Sequence, residues 1–392
     1  MTRIVLFTGK GGVGKTTVAA ATASLAARRG TRTLVLSTDP AHSLADAFGI
    51  PLATEVSEMA PNLWGQQLDA QDRMEASWGE IRTWLVGVLD WAGVDAIEAE
   101  ELAVVPGLDE LFALTDLGRF AGTGDYDLIV VDCAPTAETI RFLSLPDVLS
   151  WYMDRLFPAT RRVNKVVGPV LKRVAGVPTA DDRVLGATER LYDELRAVKV
   201  LLSDTARASV RLVVNPERIV IAEARRTYTY LSLFGYAVDA VVANRVLPAS
   251  VADPFFDRWK TLQAGYLDDI ADAFAPLPVL RADLADDELV GLEALEAFGA
   301  ELYRGNDVDA VLCTAEPLRV HKAGDTMVLE VDLPFTRRSE LELGRHGDEL
   351  LIRVGPYRRA LLLPGRAGDV AASMPPLEDG CLRVVFGSAG TD

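Results

Sequence analysis

Cysteine, histidine and methionine are scarce in this 392-residue chain, at three, three and six residues. Cys133, Cys313 and Cys381 are far apart and never form a C-x-x-C pair. That excludes a disulfide framework and a metal ribbon within one chain, and reads as three small buried hydrophobes. Few methionines argue against a promiscuous Met-rich groove. No apolar run approaches the roughly 18 residues a spanning helix needs, and the N-terminus enters a strand without a charged leader. Direct membrane insertion is therefore not expected, and a cytoplasmic location is. Positive charge is also short, with 40 Lys+Arg against 57 Asp+Glu and a formal net charge of -17. With no local basic patch to override it, that balance excludes nucleic acid and anionic membrane surfaces as partners. What is abundant is hydrophobic residues, 49% of the chain, enough for a large core in two domains.

The strand-like run "RIVLFTG" leads into "GKGGVGKTT" and then into the Ala-rich helix pattern "TTVAAATASLAARRG". Gly9, Gly11, Gly12, Val13 and Gly14 form a turn between strand and helix that aims backbone N–H groups at a phosphate, aided by the helix N-terminus. Lys15 reaches the β- and γ-phosphates, and Thr16, followed by Thr17, offers its hydroxyl to Mg²⁺. The cofactors expected are ATP and Mg²⁺. Lys10 is surplus to this arrangement, because it stands too close to the turn to serve the same oxygens. Its other reading is a solvated lysine at the loop edge.

Two carboxylates follow at strand ends. "TRTLVLSTD" ends in Asp39, at the edge of the sheet where ligands of open α/β folds sit. There it either orients the attacking water of a phosphoryl transfer or caps the helix suggested by Ser43 to Phe48. His42 stands beside it. "YDLIVVDCAPT" ends in Asp132 after four aliphatics, a Walker B pattern that holds Mg²⁺ partly through water.

From residue 1 to about 305 the segments "GKGGVGKTT", "LSTDPAHSLADAFG", "DCAPTAETIRFLSLP", "NPERIVIAEARRTYTYLSLFGY" and "ANRVLP" resemble the ArsA-like ATPases in order and wording. That family includes the arsenite-pump ATPase and the ATPases that target tail-anchored membrane proteins. The resemblance implies a P-loop α/β fold with a mostly parallel sheet and a helical insertion. It implies a homodimer in which Lys10 reaches the other subunit's nucleotide. Asp39 becomes the water-orienting residue of switch I and Asp132 part of switch II. Asn244 would read the adenine edge, and the segment from Pro276 to Arg281, with Pro278, would close over the base. The chain departs from the family at Ala137 and Glu138, where Gly and His are usual, and it has no C-x-x-C for a dimer-bridging zinc.

Helical stretches at about 70–120 and 148–208 carry many large apolar groups, including Trp78, Trp84, Trp91 and Leu85 to Leu89. In the targeting members this subdomain forms a groove for a client's transmembrane helix, so the partners implied are proteins with an exposed hydrophobic or transmembrane segment. The alternative is that these faces pack on one another. After a linker at 306–313 the pattern changes to period-two strands over 314–392, split by turn signals at Gly324-Asp325, Gly347-Asp348, Gly355-Pro356 and Asp379-Gly380. This reads as a small all-β sandwich and resembles the α-crystallin domain of small heat-shock proteins. It acts either as a chaperone or as a docking cap. His321 and His346 fall near its turns and read as solvated. From 310 onward there are 10 basic and 12 acidic residues, net -2, so -15 of the -17 belongs to the first part.

The function expected is a Mg²⁺-dependent ATPase whose nucleotide state gates a hydrophobic client surface. Alternatives are an arsenite or anion pump-associated ATPase, for which clustered thiolates are lacking, and a ParA- or MinD-like positioning ATPase. The latter wants a basic face or an amphipathic terminal helix. An iron–sulfur electron carrier needs two cysteines near the switches, and only Cys133 is there.

Overall fold

The computed structural model describes residues 1–39, 43–67, 83, 86, 108–147, 182–324, 326–346, 349–362 and 377–387. Trp78, Trp84, Trp91, Leu85, Leu89, His42 and the turn residues Asp325, Gly347 and Asp348 lie outside them, so the groove expected around the tryptophans falls there too. The chain divides into one compact unit of Met1–Gln67, Gly124–Ile140 and Leu202–Asp392, and a second of Leu68–Thr123 and Arg141–Leu201.

The first unit is built on eight strands: β1 (Arg3–Thr8), β2 (Thr33–Ser37), β3 (Ser57–Ala60), β4 (Leu63–Gln67), β5 (Leu128–Asp132), β6 (Ala208–Val214), β7 (Val238–Val246) and β8 (Val279–Asp283). Their order is β3-β4-β2-β5-β1-β6-β7-β8. All neighbours run parallel except β3, which is antiparallel to β4. The central strands "RIVLFT", "TLVLS", "LIVVD" and "ASVRLVV" are buried at every residue. Continuous apolar runs of this kind belong to parallel strands covered on both faces. Helices α1 (Lys15–Arg28) and α2 (Ser43–Phe48) follow β1 and β2. The second unit holds α3 (Leu108–Thr123) and most of α4 (Asp182–Ser203). There Gly118 leaves room for Val198, whose Cγ2 would stand 2.4 Å from any added Cβ. The remaining helices are α5 (Arg218–Phe234), α6 (Asp257–Ala273) and α7 (Leu292–Tyr303). The alanines of α1 let α7 pack closely, and a Cβ on Gly299 would lie 2.8 Å from the Ala21 carbonyl oxygen.

One buried ionic cluster ties the sheet to the chain beyond α7. Asp239 on β7 accepts from Arg3 at 3.1 Å and from Arg211 at 3.3 Å, with Asp239 and Arg211 wholly buried. Two cations on one carboxylate leave a charge to satisfy, and carbonyls supply the rest. Arg211 donates to Val308 O at 2.9 Å and Ala310 O at 3.0 Å, and Arg3 to Asp309 O at 3.2 Å. Arg211 also donates to the Tyr303 hydroxyl, which in turn meets the Thr22 hydroxyl of α1 at 2.8 Å. Burial, the largest influence, pulls the Arg3 guanidinium down to about 10.

Past this strap come β9 (Leu318–Ala323), β10 (Thr326–Asp332), β11 (Leu341–His346), β12 (Glu349–Val354), β13 (Tyr357–Leu362), β14 (Leu377–Glu378) and β15 (Cys381–Gly387). They form antiparallel sheets β14-β15-β10-β9 and β11-β12-β13. Asp379 and Gly380, at φ 49° and 76°, make the tight turn from β14 to β15. The core of this β part includes Leu233 of α5, fully buried among Leu329, Ile352 and Phe386, with Tyr230 packed against it. Tyr230 and Tyr357 rings lie 4.5 Å apart, and Arg359 donates to the Leu233 carbonyl at 2.7 Å, satisfying the C-terminal end of α5. The β part thus completes its core with a helix of the preceding α/β part.

One expectation needs correction. Cys133 is buried, but Cys313 and Cys381 are only half-buried, because the strap and the β14–β15 turn lie near the surface. His321 is exposed near a turn as expected, in β9 opposite Val328 and shortly before Gly324.

Asp239→Ala leaves two arginines buried without their carboxylate and should cost about 3–5 kcal/mol of stability, read from urea denaturation. Leu233→Ala should cost about 2–5 kcal/mol and expose the β part to limited proteolysis before the α/β part.

Candidate functional site

β2, β5 and β1 are adjacent and parallel, so their C-terminal ends open on a single edge of the sheet. The register pairs Asp132 with Phe7 on one side and Ser37 on the other. Two residues past Phe7 the glycine loop begins, and two residues past Ser37 stands Asp39. Parallel pairing alone therefore gathers the three segments that the sequence singled out.

The loop's conformation depends on its glycines. A Cβ on Gly9 would lie 2.2 Å from Val213 O on β6, and Gly14, at φ 93°, caps α1 from the left-handed region. Its carbonyls are held from outside. Asn244 donates to Val13 O at 2.8 Å, and Arg245 to Gly12 O at 2.9 Å. Among the described residues, the N–H groups of Gly11, Gly12, Gly14, Lys15, Thr16 and Thr17 have no backbone acceptor. A cradle of unclaimed donors at a helix N-terminus is an anion site. Lys15, 6% exposed, reaches back to the Lys10 carbonyl at 3.4 Å. Lys10 itself is half-buried, and among the described residues its ammonium makes no ion pair.

Asp132 is fully buried, and neither carboxylate oxygen has a partner at ordinary hydrogen-bond geometry. Burial pushes its carboxyl up to about 7, with Thr16 and Lys15 pulling it down and Asp39 adding to the rise. An orphaned buried carboxylate beside a hydroxyl and a lysine fits a hydrated divalent cation, which would supply its missing partners. Thr16 and Asp132 are the residues that would hold it. Among the described residues, no cluster of three or more His, Cys, Asp or Glu could hold a metal by itself, so phosphate oxygens would have to complete the shell. Next to Asp132, Cys133 is sealed in and burial pushes its thiol up, away from the reactive thiolate.

Asp39 is half-buried, its carbonyl accepting from Gln67 at 2.9 Å and its N–H donating to Ser37 Oγ at 3.2 Å. Thr38 bridges the segments that follow β2 and β5, donating its N–H to Asp132 O at 3.0 Å and accepting from Ala134 N at 3.2 Å. Thr8 bonds Thr139 at 3.0 Å, linking β1 to the helical segment after Asp132. Gln67, Thr38 and Arg245 escaped the sequence reading. Arg245 alone left a signal, being the neighbour of Asn244 in "ANRVLP". Its backbone stands at φ 58°, a left-handed conformation that a non-glycine residue rarely adopts.

Pro278 is not brought to this edge. Its carbonyl accepts from Val241 N at 3.0 Å, and β8 begins after it in parallel with β7. It therefore lies beside Ala240, about 13 Å along the strand from Asn244. The end of β8 that does reach the site edge is Asp283, paired with Val246 and with Arg281 at 3.0 Å. Sequence matching took the wrong end of the strand, because a proline next to "VLRAD" does not say which end faces the ligand.

A glycine cradle between β1 and α1, with a buried carboxylate on the neighbouring strand, defines the class of P-loop ATPases. The chain belongs to the anion-transporting ATPase family of ArsA, whose profile matches residues 2–304, and the HSP20-like domain found in ArsA matches residues 324–386. It is 37% identical to a protein of Chlorobaculum tepidum named arsenical pump-driving ATPase, over 98% of this chain and 96% of that one. A relative of the same name in Aquifex aeolicus is 35% identical over 96% of this chain and 98% of its own. The ATPase ASNA1 homolog of Entamoeba dispar is 28% identical over 74% of this chain and 90% of its own.

Asp132 gives a pH prediction. Its folded pKa, about 7, lies above the ordinary 3.8, so its contribution to stability is complete below pH 3.8 and is lost as pH rises through 7. Asp132→Asn removes that titration. Without Mg²⁺ or nucleotide, the variant should gain on the wild type between pH 4 and pH 8, by at most roughly 4 kcal/mol. Urea midpoints at the two pH values measure the gain, and a gap independent of pH would show that the carboxylate bears its charge without penalty.

Proposed function

We propose that this chain hydrolyses ATP with Mg²⁺ as a homodimer, and that its nucleotide state gates a surface for proteins bearing an exposed hydrophobic segment. The observation that carries the hydrolytic reading is the orphaned Asp132 carboxylate beside Lys15 and Thr16, under a loop whose amides are unclaimed. Bound Mg²⁺ would neutralise charge on the β- and γ-phosphates. The chain's own part is positioning. The loop amides and Lys15 hold the phosphates, and Asp39 orients the attacking water. Lys10 reaches the nucleotide of the second copy. Asn244 and Arg245 keep the loop carbonyls turned outward, and Asn244 would exchange Val13 for the adenine edge when nucleotide enters.

Resemblance to the targeting ATPases supports the client, and no helix among the described residues is long and apolar enough to cross a membrane. The names of the relatives favour a second reading, an ATPase that drives an arsenical pump. Metalloid binding would require thiolates in a cluster. Cys133 is buried with its thiol pKa raised, and Cys313 and Cys381 lie outside the nucleotide-site strands.

Asp39→Asn should lower phosphate release about 100- to 1,000-fold with nucleotide affinity preserved, and Lys10→Ala should do the same. A steady-state ATPase assay paired with fluorescent-nucleotide titration separates the two quantities. Full turnover in a monomeric Lys10→Ala protein would defeat the two-chain reading. For the client, the Asp39→Asn protein loaded with Mg·ATP is mixed with a solubilised single-span peptide and with arsenite. Retention of the peptide supports targeting, and stimulation of the wild-type ATPase by arsenite alone supports the pump.

A further inference from the structure

The chain carries a net charge of -17, yet the fold gathers arginines at one place. Arg225-Arg226 and Arg337-Arg338 are far apart in the sequence, and neither pair is a basic run by itself. They meet where the loop between β10 and β11 crosses α5. The crossing is fixed by the Thr229 hydroxyl of α5, which donates to the Pro334 carbonyl. One residue further along the loop, the Phe335 ring stands edge to face against Phe274, the residue after α6, at 5.7 Å, and against Tyr228 of α5 at 6.4 Å. The Arg225 guanidinium lies over the Phe335 ring at 5.5 Å. Arg337 and Arg338 follow Phe335 two and three residues on, and both are exposed.

Phe335 is 39% exposed, and its backbone sits at φ 65°. A left-handed conformation strains a bulky residue, and such strain clusters at ligand clamps. The polar groups around the ring are unfinished. Arg225 Nε and Thr336 Oγ1 are buried atoms without a hydrogen-bond partner. Arg225, Arg226, Arg337 and Arg338 make no ion pair among the described residues. The acids in the same two stretches are Glu223 and Glu340, fewer than the four arginines, and Glu340 accepts from the Arg337 N–H at 3.2 Å. At the margin, Asp332 is paired with Arg319 at 2.8 Å and Glu342 with Arg353 at 3.2 Å. What is left unclaimed beside Phe335 is therefore mostly N–H and O–H donors. A ligand that satisfies them must bring acceptors.

We propose that the junction of α5 with the β10–β11 loop is a docking surface for an acidic peptide segment of a partner protein. Its carboxylates lie on the arginines, and an apolar side chain lies against the open edge of Phe335. Guanidinium groups take carboxylates in a two-pronged grip, and an aromatic anchor ringed by arginine is the composition that carries binding energy at protein interfaces. A free phosphate leaves Phe335 bare. A nucleic acid needs ring faces for its bases, one of which Arg225 already covers, and its backbone runs on into the acidic remainder of the chain. Because α5 belongs to the α/β part and the loop to the β part, a bound segment also fastens the two together. None of these residues belongs to the phosphate loop, so the inference stands apart from the ATPase reading.

The test is fluorescence anisotropy on the full chain with three labelled peptides of equal length. One contains aspartate and glutamate with interspersed leucines, one has serine in place of leucine, and one has asparagine and glutamine in place of the acids. The acidic leucine peptide should bind best, weaken as salt rises, and lose roughly tenfold in affinity in Arg226→Glu/Arg338→Glu. Its advantage over the serine peptide should vanish in Phe335→Gly, which adopts the left-handed backbone without strain. All three substituted positions are exposed, and circular dichroism confirms that each variant folds. An acidic leucine peptide that fails to bind, that binds equally well to the variants, or that is matched by the amide peptide overturns the surface. An oligonucleotide that binds more tightly than the peptide and is lost in the arginine variant gives the patch to nucleic acid. Inorganic phosphate that displaces the peptide at equal concentration of charge reduces the patch to a small-anion site. Either of those results likewise overturns the proposal.

Discussion

The pairing of β5 between β1 and β2 is the constraint from which the site follows. Because Asp132 is level with both Phe7 and Ser37, the glycine loop, Asp39 and Asp132 emerge together without any long-range adjustment. A slip of one residue in β5 would turn Asp132 to the opposite face and place an aliphatic where the buried carboxylate now stands. The register is held by strands buried at every position, where a slip would also cost core packing. Hydrophobic burial thus sets the geometry of the polar site.

The same sheet carries the attachment of the β part. Among the described residues Arg211 is the largest fully buried side chain, and a guanidinium in that position is tolerated only because Asp239, Tyr303 and two strap carbonyls surround it. The strap is therefore bound to the underside of the nucleotide fold and does not behave as a free linker. Leu233 adds the second tie, contributing an α5 side chain to a β core. Through Tyr303 and Thr22 the strap's ionic cluster also touches the helix that begins at the phosphate loop. The nucleotide fold thus holds the strap by a buried polar network and the β part by a shared apolar core.

Much of this was legible in the sequence, for physical reasons that vary by element. "IVLF", "TLVLS" and "LIVV" are too apolar to be anything but buried strands, and the glycine loop follows one of them, so the α/β fold and phosphate cradle could be read directly. Period-two alternation and turn dipeptides revealed the β part, with Gly355-Pro356 and Asp379-Gly380 falling between strands. The strap could not be read, since its ties are carbonyls of Val308, Asp309 and Ala310, and any residue has a carbonyl. Arg245 left only its place beside Asn244, since its contact with the loop depends on a left-handed backbone. Pro278 shows the limit of motif matching: a segment can be right while its working end is wrong.

An acidic chain with an anion site is not a contradiction. Charges on the surface of α6 and elsewhere are screened over about 8–10 Å at moderate salt, whereas Lys15 and Asp132 are buried, where screening is weak. The same distinction bears on Ala137 and Glu138, both exposed. A carboxylate in that position keeps its water and stands outside the buried Asp132–Lys15 neighbourhood, so it adds little to the cost of holding phosphate. Its influence falls instead on whatever approaches the switch from solvent. The charge that governs the interior is that of Asp132, whose burial holds back its ionisation until about pH 7. A site arranged in that way favours cation and nucleotide arriving together, because each removes the electrostatic penalty left by the absence of the other.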